Sequence, residues 1–89
     1  MKIKDGFILR EVAGNKIVVP VGKNSIDFNG MINLNDTAAF IWEQLQEDKT
    51  EAELINAMML QYEVDEQTAQ KDISAFVKKL KDNDLLCKE

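Results

Sequence analysis

The spacing of apolar residues changes near Leu34, from a pattern typical of strands to one typical of helices. Before that point, residues 7–13 and 16–21 are rich in β-branched and aromatic side chains, which strands favour. Between them lies Gly14-Asn15, a dipeptide that closes tight turns. These segments predict a β-hairpin near the start of the chain.

A second hairpin is predicted from residues 25–28, which alternate polar with apolar side chains, and from residues 31–34. Asn29-Gly30 separates the two, and Asn-Gly is favoured in hairpin turns because both positions need a positive φ. Pro20 lies in the second strand, and because proline has no N–H to donate, we expect an edge strand or a bulge there. Together these segments predict a small antiparallel sheet of three or four strands.

Beyond the predicted sheet, apolar residues recur at three- and four-residue intervals and predict three helices. Asn35 is expected to cap the first helix, which should end near Gln46. Thr50 and Glu53 form the pattern of a capping box for the second helix. Asp65 is expected to cap the third helix.

The third helix carries the most regular apolar stripe in the chain. The stripe consists of Ala69, Ile73, Phe76, Val77 and Leu80. Near the end of the helix, Lys78, Lys79 and Lys81 either stabilise its negative end or form a docking patch for an acidic peptide. Asn83 is expected to end the helix.

This order of elements predicts an α+β fold. A small sheet followed by three helices has the ingredients of a winged helix-turn-helix. The 89 residues contain no evident linker or repeat. We therefore expect residues 1–89 to form a single domain.

Charge and residue usage narrow the range of functions. The chain holds 11 basic and 16 acidic residues, and the excess of negative charge lies in residues 45–89, which argues against a nucleic acid partner. There is no histidine and a single cysteine, Cys87. The usual neutral-pH base, imidazole-bound zinc and paired-cysteine chemistry are therefore excluded. We expect no catalytic residues, no metal and no cofactor.

No apolar run approaches the roughly 20 residues of a membrane span. The first residues also lack the apolar core of a signal peptide. We therefore expect a cytoplasmic protein without membrane contact.

Other polar clusters have simpler structural explanations. Asp65-Glu66 lies at a predicted helix start, where negative charge is favourable without any catalytic role. Residues 27–30 lack the spacing and the closing glutamate of a calcium loop. Acyl carriers resemble one another in an Asp-Ser-Leu site at a helix start, whereas Ser25 and Ser74 stand in other contexts. These clusters indicate no activity.

Three stretches of the chain, together with the apolar stripe of the third helix, carry a resemblance to a known family. Residues 28–45 read FNGMINLNDTAAFIWEQL, and the match continues in residues 50–55 and 64–69 and in the apolar stripe of the third helix. On these residues the chain resembles the PqqD-like family, the RiPP recognition elements. The resemblance covers essentially the whole chain.

The resemblance implies a non-catalytic winged helix that binds the leader segment of a ribosomally synthesised precursor peptide. Family members present this peptide to a modifying enzyme, in some systems a radical SAM enzyme and in others a lasso-type leader peptidase or cyclase. The leader adds as an extended strand to the third strand and lies in a groove against the third helix. Carried onto this chain, the expected peptide-binding residues are Met31, Ile32, Asn33, Leu34, Asp72, Ala75, Phe76 and Lys79.

The groove residues can be given separate roles. Phe76 lies at the border between the core and the groove and is expected to form the floor of the groove. Lys79 would pair with a leader carboxylate and Asp72 with a leader cation, adding specificity more than affinity. If residues 25–28 pair beside residues 31–34, they occupy one edge of that strand, and the sequence leaves open which edge the leader uses. An open edge can equally recruit a second copy, so a homodimer is an alternative.

Two other functions stay open on the sequence. A winged-helix transcription regulator shares the architecture, but its recognition helix would carry Arg or Lys in its first half, where residues 65–72 here read DEQTAQKD. A structural adaptor would bind the modifying enzyme without binding the precursor.

Overall fold

Strands precede helices along the chain, as the sequence predicts. The computed structural model describes residues 1–21 and 32–87. Its strands are β1 (Phe7–Val12), β2 (Asn15–Pro20) and β3 (Ile32–Leu34), and its helices are α1 (Asp36–Gln44), α2 (Glu51–Gln61) and α3 (Glu66–Asp82). This order confirms the α+β class, a small antiparallel sheet followed by three helices. The predicted strand at residues 25–28 and its Asn29-Gly30 turn lie outside the described residues.

The three strands form an antiparallel sheet in the order β1-β2-β3. β1 pairs with β2 along its whole length, from Phe7 opposite Pro20 to Val12 opposite Asn15. β3 is shorter and pairs only with residues 16–18 of β2. β2 is therefore the central strand of the described sheet.

The first hairpin is present, but its turn lies one residue earlier than predicted. Val12 and Asn15 are the last paired residues, so the turn residues are Ala13 and Gly14 and not Gly14-Asn15. Both have a positive φ, 53° for Ala13 and 81° for Gly14, as a two-residue hairpin loop requires. The register of β1 against β2 pairs Asn15 with Val12, so Asn15 belongs to the strand. The Gly14-Asn15 dipeptide alone does not determine this register.

Pro20 ends the central strand in an unbroken register, so there is no bulge. At this point the side of β2 that faces away from β1 has no partner among the described strands, which agrees with the expected edge. The Val21 N–H donates to Gly6 O at 2.8 Å. Hydrogen-bonded and non-hydrogen-bonded pairs alternate along an antiparallel ladder, so the next pair, Phe7 and Pro20, is non-hydrogen-bonded. The proline nitrogen therefore faces away from β1, and β3 pairs with no residue beyond position 18. Proline is accommodated because no described strand needs its missing N–H.

The predicted helix caps are confirmed. The Asn35 and Asp65 side chains each accept the N–H of the third helical residue, at 2.8 and 2.7 Å. Thr50 and Glu53 form the complete capping box, with bonds of 3.1 and 2.9 Å. Asn83 ends α3 as expected. No helix in the described part of the chain is both long enough and apolar enough to cross a membrane.

Apolar side chains from the sheet and all three helices form one hydrophobic core. Its most deeply buried large side chains are Val18, Ile41, Leu45, Leu54, Met58, Ile73, Leu80 and Leu85. Every member of the stripe predicted on α3 is buried in it. Among the described residues no polar or charged residue is buried, so the helices and the sheet are held together by apolar burial.

Residues 2–4 and residues 85–87 lie against each other and form what we call the terminal bridge. Ile3 pairs with Leu86 as an antiparallel β-bridge, and the Ile3 N–H donates to Leu45 O at 2.9 Å. Two more backbone hydrogen bonds, of 2.8 and 2.9 Å, join the two segments. Neither segment carries an apolar pattern that predicts a strand or a helix.

Candidate functional site

β3 has one edge bonded to β2 and an outer edge directed away from it. The alternation of the β1–β2 ladder directs the backbone N–H and C=O groups of Lys16 and Val18 toward β3. There they meet Leu34 and Ile32, their partners in the register. Asn33, between those two, therefore points its own N–H and C=O away from β2. Within residues 1–21 and 32–87, no strand pairs with this outer edge.

A groove of about 300 Å³ lies between the outer edge of β3 and helix α3. The Lys79 side chain reaches across it, and its Nζ lies 3.5 Å from Asn33 O. The strand side and α1 contribute Asn33, Leu34, Asn35, Thr37, Ala38 and Ile41. Helix α3 contributes Asp72, Ala75, Phe76 and Lys79. The groove is therefore built by three elements.

The groove has an apolar floor and a polar rim. Leu34, Ile41 and Phe76 line it while remaining 8%, 1% and 6% exposed, so they belong to the hydrophobic core as well. Asn33 and Ala75 are exposed at its sides. A chain lying in the groove would contact apolar surface below and, beside it, a strand edge that no described strand occupies.

The two charged residues that line the groove have opposite signs. Asp72 and Lys79 lie seven positions apart on α3, which separates them by about 10 Å along the helix. Both side chains are exposed, and neither forms an ion pair with another described residue. A ligand lying along α3 would therefore meet a negative charge near one end and a positive charge near the other.

A second cavity, of about 400 Å³, adjoins the groove at the end of β3. The two cavities share Asn33, Leu34 and Asn35. In the second cavity Lys16 Nζ forms an ion pair with Asp36 Oδ1 at 3.0 Å. The hydrogen bond to Asp36 raises the pKa of Lys16 above its ordinary value. Lys16 is thus already paired within the protein, in contrast to the lysine of the groove.

Six of the eight residues predicted as a binding site line this one groove. They are Asn33, Leu34, Asp72, Ala75, Phe76 and Lys79. Ile32 is buried beside the groove and is not part of its lining, because its side chain faces the core. Met31 lies outside the described residues. That these residues bind a peptide stays a prediction.

Sequence reasoning missed the contribution of α1. Thr37, Ala38 and Ile41 line the groove, although none was a candidate site residue. Ala38 and Ile41 belong to the apolar residues whose three- and four-residue spacing predicts the first helix. This apolar repeat was the available signal for the α1 side of the groove. Apolar helix residues that lie next to a sheet edge can line a groove there as well as contribute to the core.

The described residues contain no group of three His, Cys, Asp or Glu side chains placed to hold a metal ion. Cys87 is exposed, and its Sγ lies 3.7 Å from Ile3 O in the terminal bridge. The polar groups of the groove are instead amides, one hydroxyl, one carboxylate and one ammonium. Such groups can hold and orient an extended chain.

Comparison with known proteins identifies the family. The family model for coenzyme PQQ synthesis protein D (PqqD) matches residues 7–86. The chain belongs to the PqqD family. Membership confirms the resemblance stated from the sequence. No curated protein matches the chain.

Solved structures share the fold of this PqqD-family chain. A structure of TbiB1 in complex with the TbiA(beta) leader peptide has a TM-score of 0.74 and 24% identity, with 97% of this chain and 94% of that chain covered. A structure of lasso peptide synthetase B1 complexed with the leader peptide has a TM-score of 0.73 and 24% identity, with 98% and 96% covered. At this level of identity the similarity establishes the architecture, a small sheet followed by three helices.

Proposed function

We propose that this PqqD-family chain binds the leader segment of a ribosomally synthesised precursor peptide as an added strand on the outer edge of β3. One observation carries the proposal. The outward N–H and C=O of Asn33 face a groove whose floor is apolar and whose far wall is α3. An edge of this kind binds an extended peptide through its main chain, while the neighbouring cavity selects side chains.

The register defines where the side chains of an added strand would point. Residues opposite each other in a sheet share a face, so the peptide residue opposite Asn33 would point to solvent, as Asn33 does. The two flanking peptide residues would point to the face of Ile32 and Leu34, which are buried. These flanking residues would enter the groove toward Phe76, so we expect at least one of them to be apolar.

The family and the fold support this binding mode. The chain matches the PqqD model over residues 7–86, and two proteins with the same fold were solved with leader peptides. In our proposal residues 1–89 act as one binding domain with no catalytic role. With no histidine and one cysteine in the sequence, we assign the chemistry to a partner enzyme, a radical SAM maturase or a lasso-type peptidase or cyclase. Binding would take place in the cytoplasm, where the precursor is made.

The acidic start of α3 favours a peptide over a nucleic acid. Glu66 lies in the first turn of α3 and Asp72 in its first half, where a DNA-reading helix would place Arg or Lys. The winged-helix regulator therefore has the shared architecture in its favour, but not the charge of the helix that would read DNA. A salt-sensitive gel shift with duplex DNA would reverse this ranking.

The test first searches the reading frames beside this gene for short precursor peptides, and the leader segment of each candidate is synthesised with a fluorescent label. Ala75 is exposed in the groove, so Ala75→Trp should fill the groove without removing core contacts and lower the affinity by about tenfold or more. Ala52→Trp places the same side chain at an exposed position of α2 as a control. Lys79→Glu reverses the charge at the positive end of the groove and should weaken binding of an acidic leader.

Two results would count against the proposal. Equal affinities of wild type, Ala75→Trp and Lys79→Glu would place the peptide-binding surface elsewhere. Absence of binding to the wild type, together with capture of the partner enzyme, would favour a structural adaptor. A mass that doubles with concentration and falls when peptide is added would show that a second copy competes for the same edge.

A further inference from the structure

Lys79 occupies the backbone acceptor that an added strand needs. The carbonyl of Asn33 points away from β2, and Lys79 Nζ lies 3.5 Å from its oxygen. A strand paired with Asn33 would place a peptide N–H at this same oxygen. Because the Lys79 side chain crosses the groove in which the added strand would lie, the peptide has to move the ammonium away from this oxygen.

We propose that Lys79 is an exchangeable cap on the outer edge of β3, and that it selects peptides carrying a carboxylate next to the position that pairs with Asn33. This inference rests on the proposed function and adds a specificity-determining residue to it. Lysine on a sheet edge is a known means of preventing indiscriminate strand pairing. Here the lysine reaches the edge from the facing helix.

The charge environment explains why an acidic peptide is favoured. Lys79 forms no ion pair within residues 1–21 and 32–87, and its ammonium contacts the Asn33 carbonyl instead. A neutral peptide would take the Asn33 carbonyl and offer the ammonium no charged partner in exchange. An acidic peptide side chain at the rim would accept the ammonium as it leaves the carbonyl, and so compensate for the lost contact.

The neighbouring residue provides a matched control. Lys78 is exposed and precedes Lys79 on α3, but it does not line the groove. The variants Lys78→Gln and Lys79→Gln make the same change in net charge and remove a long cation from the same helix turn. Only Lys79→Gln removes the cap.

The experiment selects from a library of short random peptides displayed on mRNA, with the wild type and each variant as bait. Peptides enriched by the wild type and by Lys78→Gln should carry Asp or Glu at one position beside an apolar residue. Enrichment of the acid should disappear with Lys79→Gln. One enriched peptide is then synthesised with Glu and with Gln at that position, and its affinity for all three proteins is measured.

The wild type should prefer the Glu peptide by about threefold, the size expected of an exposed ion pair, and the preference should fall at high salt. Lys79→Gln should show no preference and should bind the Gln peptide more tightly than the wild type does, because no ammonium has to leave Asn33 O. An acid preference that persists in Lys79→Gln, or unchanged affinity for the Gln peptide, would overturn the inference. If the wild type enriches no peptide at all, the proposed function itself fails.

Discussion

The terminal bridge and the outer edge of β3 are both places where extended backbone lies beside helices, but their hydrogen bonding differs. In the terminal bridge, residues 2–4 and 85–87 use one another and Leu45 as partners, with bonds of 2.8 to 2.9 Å. At the outer edge of β3, the described structure offers the Asn33 carbonyl only a lysine side chain at 3.5 Å. The backbone groups of the terminal bridge are paired within the chain, whereas the outer edge of β3 has no strand partner among the described residues.

The difference separates stability from binding. Burial of Ile3 and Leu85, which are 3% and 0% exposed, ties the chain ends to the core. The N–H and C=O of Asn33 at the outer edge of β3 contribute little to the core, because they face solvent and the groove. A site formed from such groups can exchange partners without unfolding the protein. Changes in the two regions should therefore have distinct effects.

The largest expected effect is in the terminal bridge. Ile3→Ala should lower the free energy of unfolding by about 3 kcal/mol, since it leaves a cavity against the core. Urea unfolding followed by the fluorescence of the buried Trp42 measures this. Val12→Ala, at a position 54% exposed, should change it by less than about 0.5 kcal/mol. Peptide affinity of the folded protein should be unchanged, and a large loss of affinity would show that the two regions are coupled.

A smaller effect, on binding, is expected at the outer edge. Asn33→Pro removes the outward N–H, which β2 does not use, and should weaken peptide binding by about fivefold, the value of one hydrogen bond. Proline is tolerated where a strand N–H faces away from its neighbour, so the stability loss should be smaller than for Ile3→Ala. Asn33→Ala keeps the N–H and should bind as the wild type does. Equal affinities of the proline and alanine variants would mean that this N–H is not used.

The smallest effect on the free energy of unfolding is expected at the start of α2, beside the terminal bridge. Lys49, which precedes the cap residue Thr50, donates its N–H to Met1 O at 2.8 Å. Thr50→Ala should lower the free energy of unfolding by about 1 kcal/mol through loss of the cap. Peptide affinity should not change, because neither residue lines the groove. A change in affinity would extend the binding surface to α2.

The same capping box predicts a pH dependence. The hydrogen bond from the Thr50 N–H holds the pKa of Glu53 below its ordinary value of 4.5. Because the folded pKa is the lower one, this stabilisation is complete above pH 4.5 and is lost as the pH falls through the folded value. Thermal unfolding at a series of acidic pH values should show a smaller loss for Glu53→Gln than for the wild type. The opposite order would contradict the assignment.

Local contacts made the helix boundaries predictable. The caps at Asn35, Thr50 and Asp65 each join a side chain to a backbone N–H three residues away, so a short stretch of sequence contains both partners. The buried stripe of α3 follows from the helical period in the same way. Its groove-facing residues Asp72 and Lys79 were predicted from their place beside that stripe together with the groove that the family resemblance implies.

Contacts between distant segments were not predictable in this way. The turn at Ala13 and the central position of β2 depend on which strands pair and in what register. The terminal bridge joins residues more than 80 positions apart. Neither segment contains a sequence pattern that indicates pairing with the other. The α1 side of the groove, Ala38 and Ile41, depends on how α1 packs against α3.

By itself, the amino-acid sequence determined the elements, the caps, the apolar stripe of α3 and the absence of histidine and paired-cysteine chemistry, because each depends on composition or on neighbours along the chain. Only the tertiary structure decided which strand edges of the described residues lack a partner strand. It placed the Asn33 carbonyl beside Lys79, 46 positions away, and closed the chain ends against Leu45. The physical reason is that every strand has two edges, and only packing determines which edge the chain itself occupies.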